Sequence, residues 1–230
     1  AAFSNAKAKL SIGWQCTVPN VPDSPGACSW ANVICSRGFI SGLSLSNTGL
    51  IGSIPSSIGS MSYLKLIAFD ANSLYGTLPS SLGRSTNVLT LSLNQNCFHG
   101  SIPSSYGSFR RALYFNAGEN SFSSTIPATL GRLTSLKILL LNNNCLESDI
   151  PQDLGSLSKT LNVLNLANNK LLGEVPVTLC KLTALTEPID LSGNIGISSY
   201  PFCLTPTGQP TTVPTSMPSG FPTSVPSGTP

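Results

Sequence analysis

Apolar residues return at regular intervals along most of the chain, in pairs separated by one position. The pairs are Leu43/Leu45, Ile67/Phe69, Leu91/Leu93, Phe115/Ala117, Leu139/Leu141, Leu164/Leu166 and Ile189/Leu191. An alternation of period two predicts a short strand with one buried face. An apolar residue followed by proline comes after every pair, with the prolines 24 or 25 residues apart, at 55, 79, 103, 127, 151, 176 and 201. The pattern therefore predicts seven tandem copies of one structural unit.

A polar residue stands between each apolar pair and its proline. These residues are Thr48, Asn72, Asn96, Asn120, Asn144, Asn169 and Asn194. A side-chain amide both donates and accepts hydrogen bonds, so we expect a ladder of asparagines that satisfies backbone groups where the strands end and joins neighbouring coils. A single coil cannot bury its own apolar face, whereas seven stacked coils can.

The repeated unit resembles the 24-residue extracellular leucine-rich repeat of plant receptor kinases, receptor-like proteins and polygalacturonase-inhibiting proteins. It reads L-x-x-L-x-L-x-x-N-x-L-x-G-x-I-P-x-x-L-G-x-L-x-x-L and is nearly complete in residues 139–157, apart from Ser148 at the first glycine. The resemblance implies an α/β repeat solenoid: a right-handed leucine-rich repeat superhelix with a concave parallel β-sheet, mostly β and irregular or 3₁₀. It also implies a second short sheet beside the first.

The residues before the repeats resemble the N-terminal cap of the same family, C-x-W-x-G-V-x-C. The matching run is Cys28 to Cys35, with Asn32 where the cap usually has glycine. A cap covers the apolar edge of the first coil, and Trp30 is expected to be its lid. The sequence thus divides into an N-terminal cysteine cap at 1–39, a solenoid of seven repeats with a C-terminal cap at 40–204, and a stalk at 205–230.

The stalk has a different repeat, with proline at every fourth position from Pro206 to Pro230. Few of its residues are large and apolar, so we expect an extended polyproline-like tail that acts as a stiff connector. Its hydroxyl groups suggest O-glycosylation. The candidate sites are Thr207, Thr211, Thr212, Thr215, Ser216, Ser219, Thr223, Ser224 and Ser227.

Seven cysteines in a repeat protein with such a cap indicate an oxidising compartment. We expect the disulfides Cys28–Cys35 and Cys180–Cys203. Cys97 and Cys145 lie two coils apart, about 10 Å, beyond disulfide reach, and are predicted to be buried thiols. Cys16 has no obvious partner within the chain: it is either a free or strained cap thiol or a crosslink to another chain.

The composition excludes several functional classes. Only 9% of the residues are charged, the net charge is +3, and neither sign forms a run, so nucleic acid is not an expected partner. No apolar run approaches the roughly 18 residues of a spanning helix, so no membrane span is expected. The sequence begins at Ala1 rather than Met, consistent with a signal peptide already removed or never included. We expect an extracellular, secreted or cell-surface protein.

No catalytic site can be assembled from the sequence. His99 is the only histidine, and it is predicted to lie on an exposed turn between the two sheets. Asp70 and Glu119 face the concave side about two coils apart, a separation that does not by itself exclude a glycosidase pair. No phosphate-loop, metalloprotease or serine-hydrolase motif occurs. We therefore predict a non-enzymatic protein without cofactor or metal.

The concave face is the candidate binding surface, because residues that alternate with the buried leucines point outward. The candidates are Asp70, Ser92, Asn94, Tyr114, Asn116, Glu119, Leu140, Asn142 and Asn165. Small amides and hydroxyls suit carbohydrate or a polar protein backbone, while a merely solvated sheet is equally compatible. On the convex side every second coil carries a basic residue, Arg84, Arg132 and Lys181, and a polyanionic polysaccharide could follow such a row.

Three functions fit these features. The first is a structural or adhesive building block and binding scaffold in a cell wall, matrix or surface filament. The alternatives are the ligand-recognition ectodomain of a receptor-like protein and an inhibitor of a secreted wall-degrading glycosidase. The expected partners are an extracellular protein or polysaccharide, or further copies of the chain in an ordered assembly.

Overall fold

The computed structural model describes residues 26–204 of the 230-residue chain. Cys16 and the stalk, with its proposed polyproline conformation and O-glycosylation sites, lie outside the described residues. The described part consists of short strands and single turns of 3₁₀ helix. The strands are β1 (Val33–Ser36), β2 (Phe39–Ser44), β3 (Ile51–Gly52), β4 (Leu66–Ala68), β5 (Ser73–Gly76), β6 (Thr90–Ser92), β7 (Cys97–Gly100), β8 (Tyr114–Asn116), β9 (Ser121–Ser124), β10 (Ile138–Leu140), β11 (Cys145–Ser148), β12 (Val163–Asn165), β13 (Lys170–Glu174) and β14 (Gly196–Ser199). The 3₁₀ helices are η1 (Ala27–Ser29), η2 (Ser56–Ser60), η3 (Ser80–Arg84), η4 (Ser104–Ser108), η5 (Ala128–Arg132), η6 (Gln152–Leu157), η7 (Val177–Lys181) and η8 (Phe202–Leu204).

Equivalent strands of successive repeats form one sheet in the order β1-β2-β4-β6-β8-β10-β12. From β2 onward the pairing is parallel and joins equivalent positions, so that Leu43 lies opposite Ile67 and Ile67 opposite Leu91. The seventh repeat adds only an isolated bridge between Asn165 and Asp190. The predicted solenoid with a concave parallel sheet is therefore confirmed, with a seventh coil that continues the sheet at a single position.

The N-terminal cap closes the first edge of this sheet with a hairpin. Strand β1 pairs antiparallel with β2, placing Val33 opposite the fully buried Leu43. The predicted Cys28–Cys35 disulfide is present, with a Cα–Cα distance of 5.7 Å. The lid prediction for Trp30 is wrong: its side chain is 48% exposed, because strand β1 already covers the edge. Strand β2 begins at Phe39, so the cap and the solenoid share a strand across the proposed boundary at 39/40.

A second sheet flanks the first and contains β3, β5, β7, β9, β11, β13 and β14, all parallel. A 3₁₀ helix follows the proline of each of the first six repeats and forms the convex side. A glycine in each of the first five of these helices lies against the next coil: a Cβ at Gly83 would come within 2.6 Å of the carbonyl oxygen of Ser105. Only a residue without a side chain allows coils to approach so closely. The C-terminal coils are joined by the predicted Cys180–Cys203 disulfide, whose Cα atoms are also 5.7 Å apart.

The core is one continuous column of apolar side chains from both sheets and the 3₁₀ helices. Its middle contains an aromatic cluster, in which Tyr106 contacts Phe109 and Phe115 at ring-centroid distances of 5.0 and 6.4 Å. The Tyr106 hydroxyl donates to the carbonyl of Pro79 at 3.2 Å, so that the buried phenol is paired. Burial raises the pKa of the Tyr106 phenol above its ordinary value, which keeps the group neutral.

The predicted asparagine ladder bonds each coil to the one before it. The Asn120 side chain bonds two backbone groups of the preceding coil. Its amide group donates to the carbonyl of Leu93 at 3.0 Å, and its oxygen accepts from the backbone amide of Phe98 at 3.0 Å. It also donates within its own coil to Ala117 and Gly118 at 3.3 and 2.9 Å. One side chain thus satisfies four backbone groups at the end of a strand. Asn72, Asn96, Asn144, Asn169 and Asn194 make the same set of contacts.

The residue before each ladder position adopts a left-handed backbone conformation. Six of these residues that are not glycine have φ between 51 and 56°: Asn47, Ala71, Gln95, Glu119, Asn143 and Asn168. The left-handed turn ends the strand and directs the next side chain, that of the asparagine, between the coils. Asparagine tolerates this region better than most residues, but alanine does not, so the backbone at Ala71 is strained.

Replacing Asn120 with alanine should lower the free energy of unfolding by about 1 to 3 kcal/mol, because buried backbone groups of two coils lose their partner. Urea denaturation followed by circular dichroism measures this loss. Thr48→Ala is the matched control in the first coil, where the exposed side chain donates to Leu45 within its own coil at 2.7 Å and has only a long contact, 3.5 Å, with Asn72 of the next coil. Equal losses in the two variants would contradict a role for the ladder in joining coils.

Replacing Ala71 with glycine should raise the free energy of unfolding by about 0.5 to 1 kcal/mol, because relief of the left-handed strain exceeds the added entropy of the unfolded chain. The control, Ala68→Gly in the regular strand β4, should lower it by a similar amount. Thermal unfolding of the two variants side by side tests the assignment. A midpoint lowered by Ala71→Gly would show that the left-handed backbone carries no strain.

Candidate functional site

The outward-facing residues of the large sheet form the candidate site, here called the concave surface. Its strands bury alternate residues, such as Leu139 and Leu141, and direct the intervening side chains, such as that of Leu140, to the concave side. Asp70, Asn94, Tyr114, Leu140, Asn142 and Asn165 are partly exposed there, and Glu119 is exposed. The structure therefore places seven of the nine candidates from the sequence on the concave surface with accessible side chains.

The other two candidates, Ser92 and Asn116, are not accessible. Each is only 8% exposed. The Ser92 hydroxyl donates to Asn94 Oδ1 at 3.0 Å, while the Asn116 amide donates to the Tyr114 hydroxyl at 3.0 Å and accepts from the Gly118 amide at 3.0 Å. These side chains organise their neighbours, so the prediction that they contact a ligand directly is corrected.

Polar residues at the ends of the strands are linked in pairs across neighbouring coils. Ser46 donates to Asp70 Oδ1 at 2.7 Å, and the Gln95 amide donates to Glu119 Oε2 at 3.0 Å. The Asn168 amide donates to Asn143 Oδ1 at 2.9 Å in the same way. The carboxylates of Asp70 and Glu119 are held in place as hydrogen-bond acceptors along one margin of the concave surface.

A column of residues that sequence reasoning missed, except for Tyr114, lies on the opposite side of the concave surface. It contains the first residues of strands β4, β6, β8, β10 and β12, which pair directly across the sheet: Leu66, Thr90, Tyr114, Ile138 and Val163. All five are partly exposed. We call these five residues the apolar column, although Thr90 carries a hydroxyl group and Tyr114 a phenol. The sequence contained the signal for this column. In a strand, residues two positions apart face the same side, so residue 66 is expected on the same face as residue 68.

The second sheet corrects three expectations from the sequence. His99 lies within strand β7 and is exposed there, rather than on a turn between the sheets. Cys97 is exposed and Cys145 partly exposed, because Phe98 and Leu146 take the inward positions of their strands. They are free thiols, but neither is buried.

Residues 26–204 contain neither a cluster of metal ligands nor a membrane-spanning helix. No group of three or more histidine, cysteine, aspartate or glutamate side chains is arranged to hold a metal ion. Within the same residues, no helix has the length and apolar character needed to cross a membrane.

Comparison with known proteins gives one family and a consistent set of structures. The leucine-rich repeat family model matches residues 135–157 and 160–182. No protein with a curated description matches the sequence. One similar structure, the crystal structure of PEPR1-AtPEP1, has 26% identity and a TM-score of 0.70 over 79% of this chain and 25% of its own.

Two further structures are similar. The Arabidopsis receptor kinase HAESA, solved with the peptide hormone IDA and the co-receptor SERK1, has 28% identity and a TM-score of 0.66 over 83% of this chain and 31% of its own. Pollen Receptor Kinase 3 has 28% identity and a TM-score of 0.68 over 78% of this chain and 86% of its own. The present chain thus spans about a quarter to a third of PEPR1 and HAESA, and most of the pollen receptor chain.

Thiol labelling should distinguish the two free cysteines. In the native protein Cys97 should react with a maleimide several times faster than Cys145, because its side chain is more exposed. Mass mapping of labelled peptides at short reaction times measures both rates, and labelling in denaturant serves as the control that equalises them. Equal native rates would contradict the placement of the two thiols.

Proposed function

We propose that this chain is a leucine-rich repeat protein of the plant type and a non-enzymatic, extracellular ligand-recognition module that binds an extended peptide on its concave surface. The observation that carries the proposal is the apolar column. It supplies large side chains that can anchor a peptide, which the small polar residues of the concave surface lack. The similarity to the ectodomain of HAESA, which was solved with a peptide hormone, supports the same function.

The charges on the concave surface indicate which side chains the proposed peptide ligand needs. Asp70 and Glu119 lie along the margin where the strands end. Lys65 and Lys137 are exposed directly before strands β4 and β10, along the margin where the strands begin. A peptide that lies across the strands meets the apolar column between these margins, so it needs apolar side chains with lysine or arginine toward Asp70 and Glu119.

The length of the apolar column sets the length of the peptide. Five strands spaced about 4.8 Å apart span roughly 19 Å from the first to the last. An extended peptide covers that distance with about six residues, at about 3.3 Å per residue. The proposed ligand is therefore a peptide or protein segment of about six to eight residues, with apolar and basic side chains.

This proposal takes up the second of the functions that the sequence allowed. The structural or adhesive interpretation depends on the stalk, which lies outside the described residues. The inhibitor interpretation needs a surface for a folded protein, whereas the single column of exposed side chains across the strands suits one extended segment. Extracellular localisation is supported by the two disulfides and by the receptor ectodomains that the chain resembles.

Selection of displayed random peptides of about eight residues on the full chain tests the proposal. Enriched peptides should combine apolar residues with lysine or arginine. Calorimetric titration with a selected peptide should show about tenfold weaker binding to the double variant Asp70→Asn/Glu119→Gln, because two charge-assisted contacts are lost. The double variant Glu147→Gln/Glu174→Gln removes the same charge from exposed positions on the second sheet and should bind like the parent protein.

Two results would contradict the proposal. Enrichment of peptides without basic residues would remove the role of the acidic margin. Equal weakening by the second-sheet variant would mean that overall charge, rather than the concave surface, determines binding.

A further inference from the structure

A groove on the convex side, opposite the concave surface, lies along η4 and extends from the segment after η3 to the end of η5. Its volume is about 640 Å³. That volume is within the range of sites for small organic ligands and exceeds what a single inorganic ion fills. The groove is lined by Thr86, Asn87, Ser104, Ser105, Gly107, Ser108, Arg110, Arg111 and Arg132.

Three guanidinium groups from two neighbouring coils converge on this groove. Arg110 and Arg111 follow η4, and Arg132 is the last residue of η5. All three are exposed. Arg111 donates to the side-chain oxygen of Asn87 at 3.1 Å. Within residues 26–204 none of the three forms an ion pair with a carboxylate.

The arrangement differs from the row of basic residues expected on the convex side. Arg84 occupies the position of Arg132 two coils earlier, and Lys181 two coils later, yet neither lines the groove. The structure instead brings Arg132 beside the Arg110–Arg111 pair, which belongs to a different position of the repeat. The basic residues therefore form a cluster over two coils rather than a line along the solenoid.

The positive charge of this cluster is unbalanced inside the groove. Within the described part of the chain, no acidic residue lines the groove; Asp153 packs against Gly131, next to Arg132, but is not among the lining residues. Like charges held close together repel, and a bound anion relieves that repulsion. The planar guanidinium group matches the two oxygens of a carboxylate or sulfate group, to which it can donate two parallel hydrogen bonds.

The rest of the lining suits a hydroxylated molecule. The Ser105 hydroxyl donates to the carbonyl of Ser80 at 2.8 Å, and the Ser108 hydroxyl donates to that of Gly83. Each hydroxyl oxygen, with its proton thus directed to the backbone, keeps lone pairs that can accept from a ligand. Thr86 and Ser104 add further exposed hydroxyl groups. A wide polar groove with three guanidinium groups that form no ion pair within the described residues suits a charged saccharide better than a small ion.

We propose that the convex groove formed by Arg110, Arg111 and Arg132 binds an anionic oligosaccharide through its sulfate or carboxylate groups. The guanidinium groups hold the charged groups, and the serine and threonine hydroxyls accept from the sugar hydroxyls. The groove is separate from the concave surface, so one molecule can hold a glycan and a peptide at the same time. This site is independent of the proposed peptide binding.

Calorimetric titration of the full chain with size-defined oligosaccharides at low and moderate salt tests the proposal. The probes are a sulfated tetrasaccharide, a uronate tetrasaccharide, a neutral tetrasaccharide and inorganic sulfate. At least one anionic tetrasaccharide should bind, with an affinity that falls as salt rises, and the neutral one should not. The anionic probe that binds identifies the charged group as sulfate or carboxylate.

The double variant Arg110→Gln/Arg132→Gln should weaken binding of that tetrasaccharide by about tenfold or more, because two charge-assisted contacts are lost. Arg84→Gln is the matched control, since Arg84 is exposed at the equivalent position of η3 but lies outside the groove. It should change the affinity by less than about threefold. Unchanged thermal midpoints in both variants would exclude a folding effect, because these arginines are exposed.

Three results would overturn the proposal. The first is the absence of binding by either anionic tetrasaccharide at low salt. The second is an equal loss in Arg84→Gln and the groove variant, which would mean that net charge alone is responsible. The third is inorganic sulfate binding as tightly as the tetrasaccharide, which would leave only a simple anion site. Peptide selection on the concave surface is unaffected by each of these results, so the two proposals fail separately.

Discussion

The asparagine amide at the end of each strand is the interaction on which the rest of this structure depends. A strand of three residues has too few hydrogen bonds to fix its own place, and the backbone groups beyond its end would otherwise be buried without partners. The Asn120 side chain positions the strand and pairs these backbone groups. It hydrogen-bonds Leu93 and Phe98 of the preceding coil and also backbone carbonyls of its own coil. The left-handed residue before each asparagine brings the amide between the coils.

Close contact between the coils on the convex side is the counterpart of the ladder. Gly107 in η4 lies where a Cβ would meet the carbonyl oxygen of Thr129 at 2.5 Å. The ladder sets the spacing at the strand ends, and the glycines permit the 3₁₀ helices to follow it. Since the backbone is fixed on both sides, the outward-facing side chains carry little of the stability and can vary from repeat to repeat.

The two proposed sites both use that freedom. The concave surface joins Leu66, Tyr114 and Ile138 from separate repeats into one apolar column, with Asp70 and Glu119 along its margin. The convex groove joins arginines from two repeats. The concave surface arises because parallel register places equivalent positions of successive repeats side by side, so that residues 24 positions apart in the sequence become neighbours. The convex groove instead joins different positions of two successive coils. The acidic margin of the concave surface and the arginines of the convex groove lie on opposite faces, which suits the simultaneous binding of two kinds of partner.

The sequence by itself determined the repeat, the buried leucines, the asparagine ladder and the disulfide partners. Each follows from a local pattern in the sequence. Period-two alternation predicts the strands, the 24-residue repeat predicts how the coils stack, and the disulfide partners are cysteines within one coil of each other. The tertiary structure alone decided which side chains remain accessible. Ser92 and Asn116 are covered by hydrogen-bonded neighbours. Trp30 is exposed because strand β1 covers the edge of the sheet. Arg132 lies beside Arg110 and Arg111 rather than in line with Arg84. Accessibility depends on contacts between coils, and a repeat pattern specifies the stacking of the backbone but not where the long side chains lie upon it.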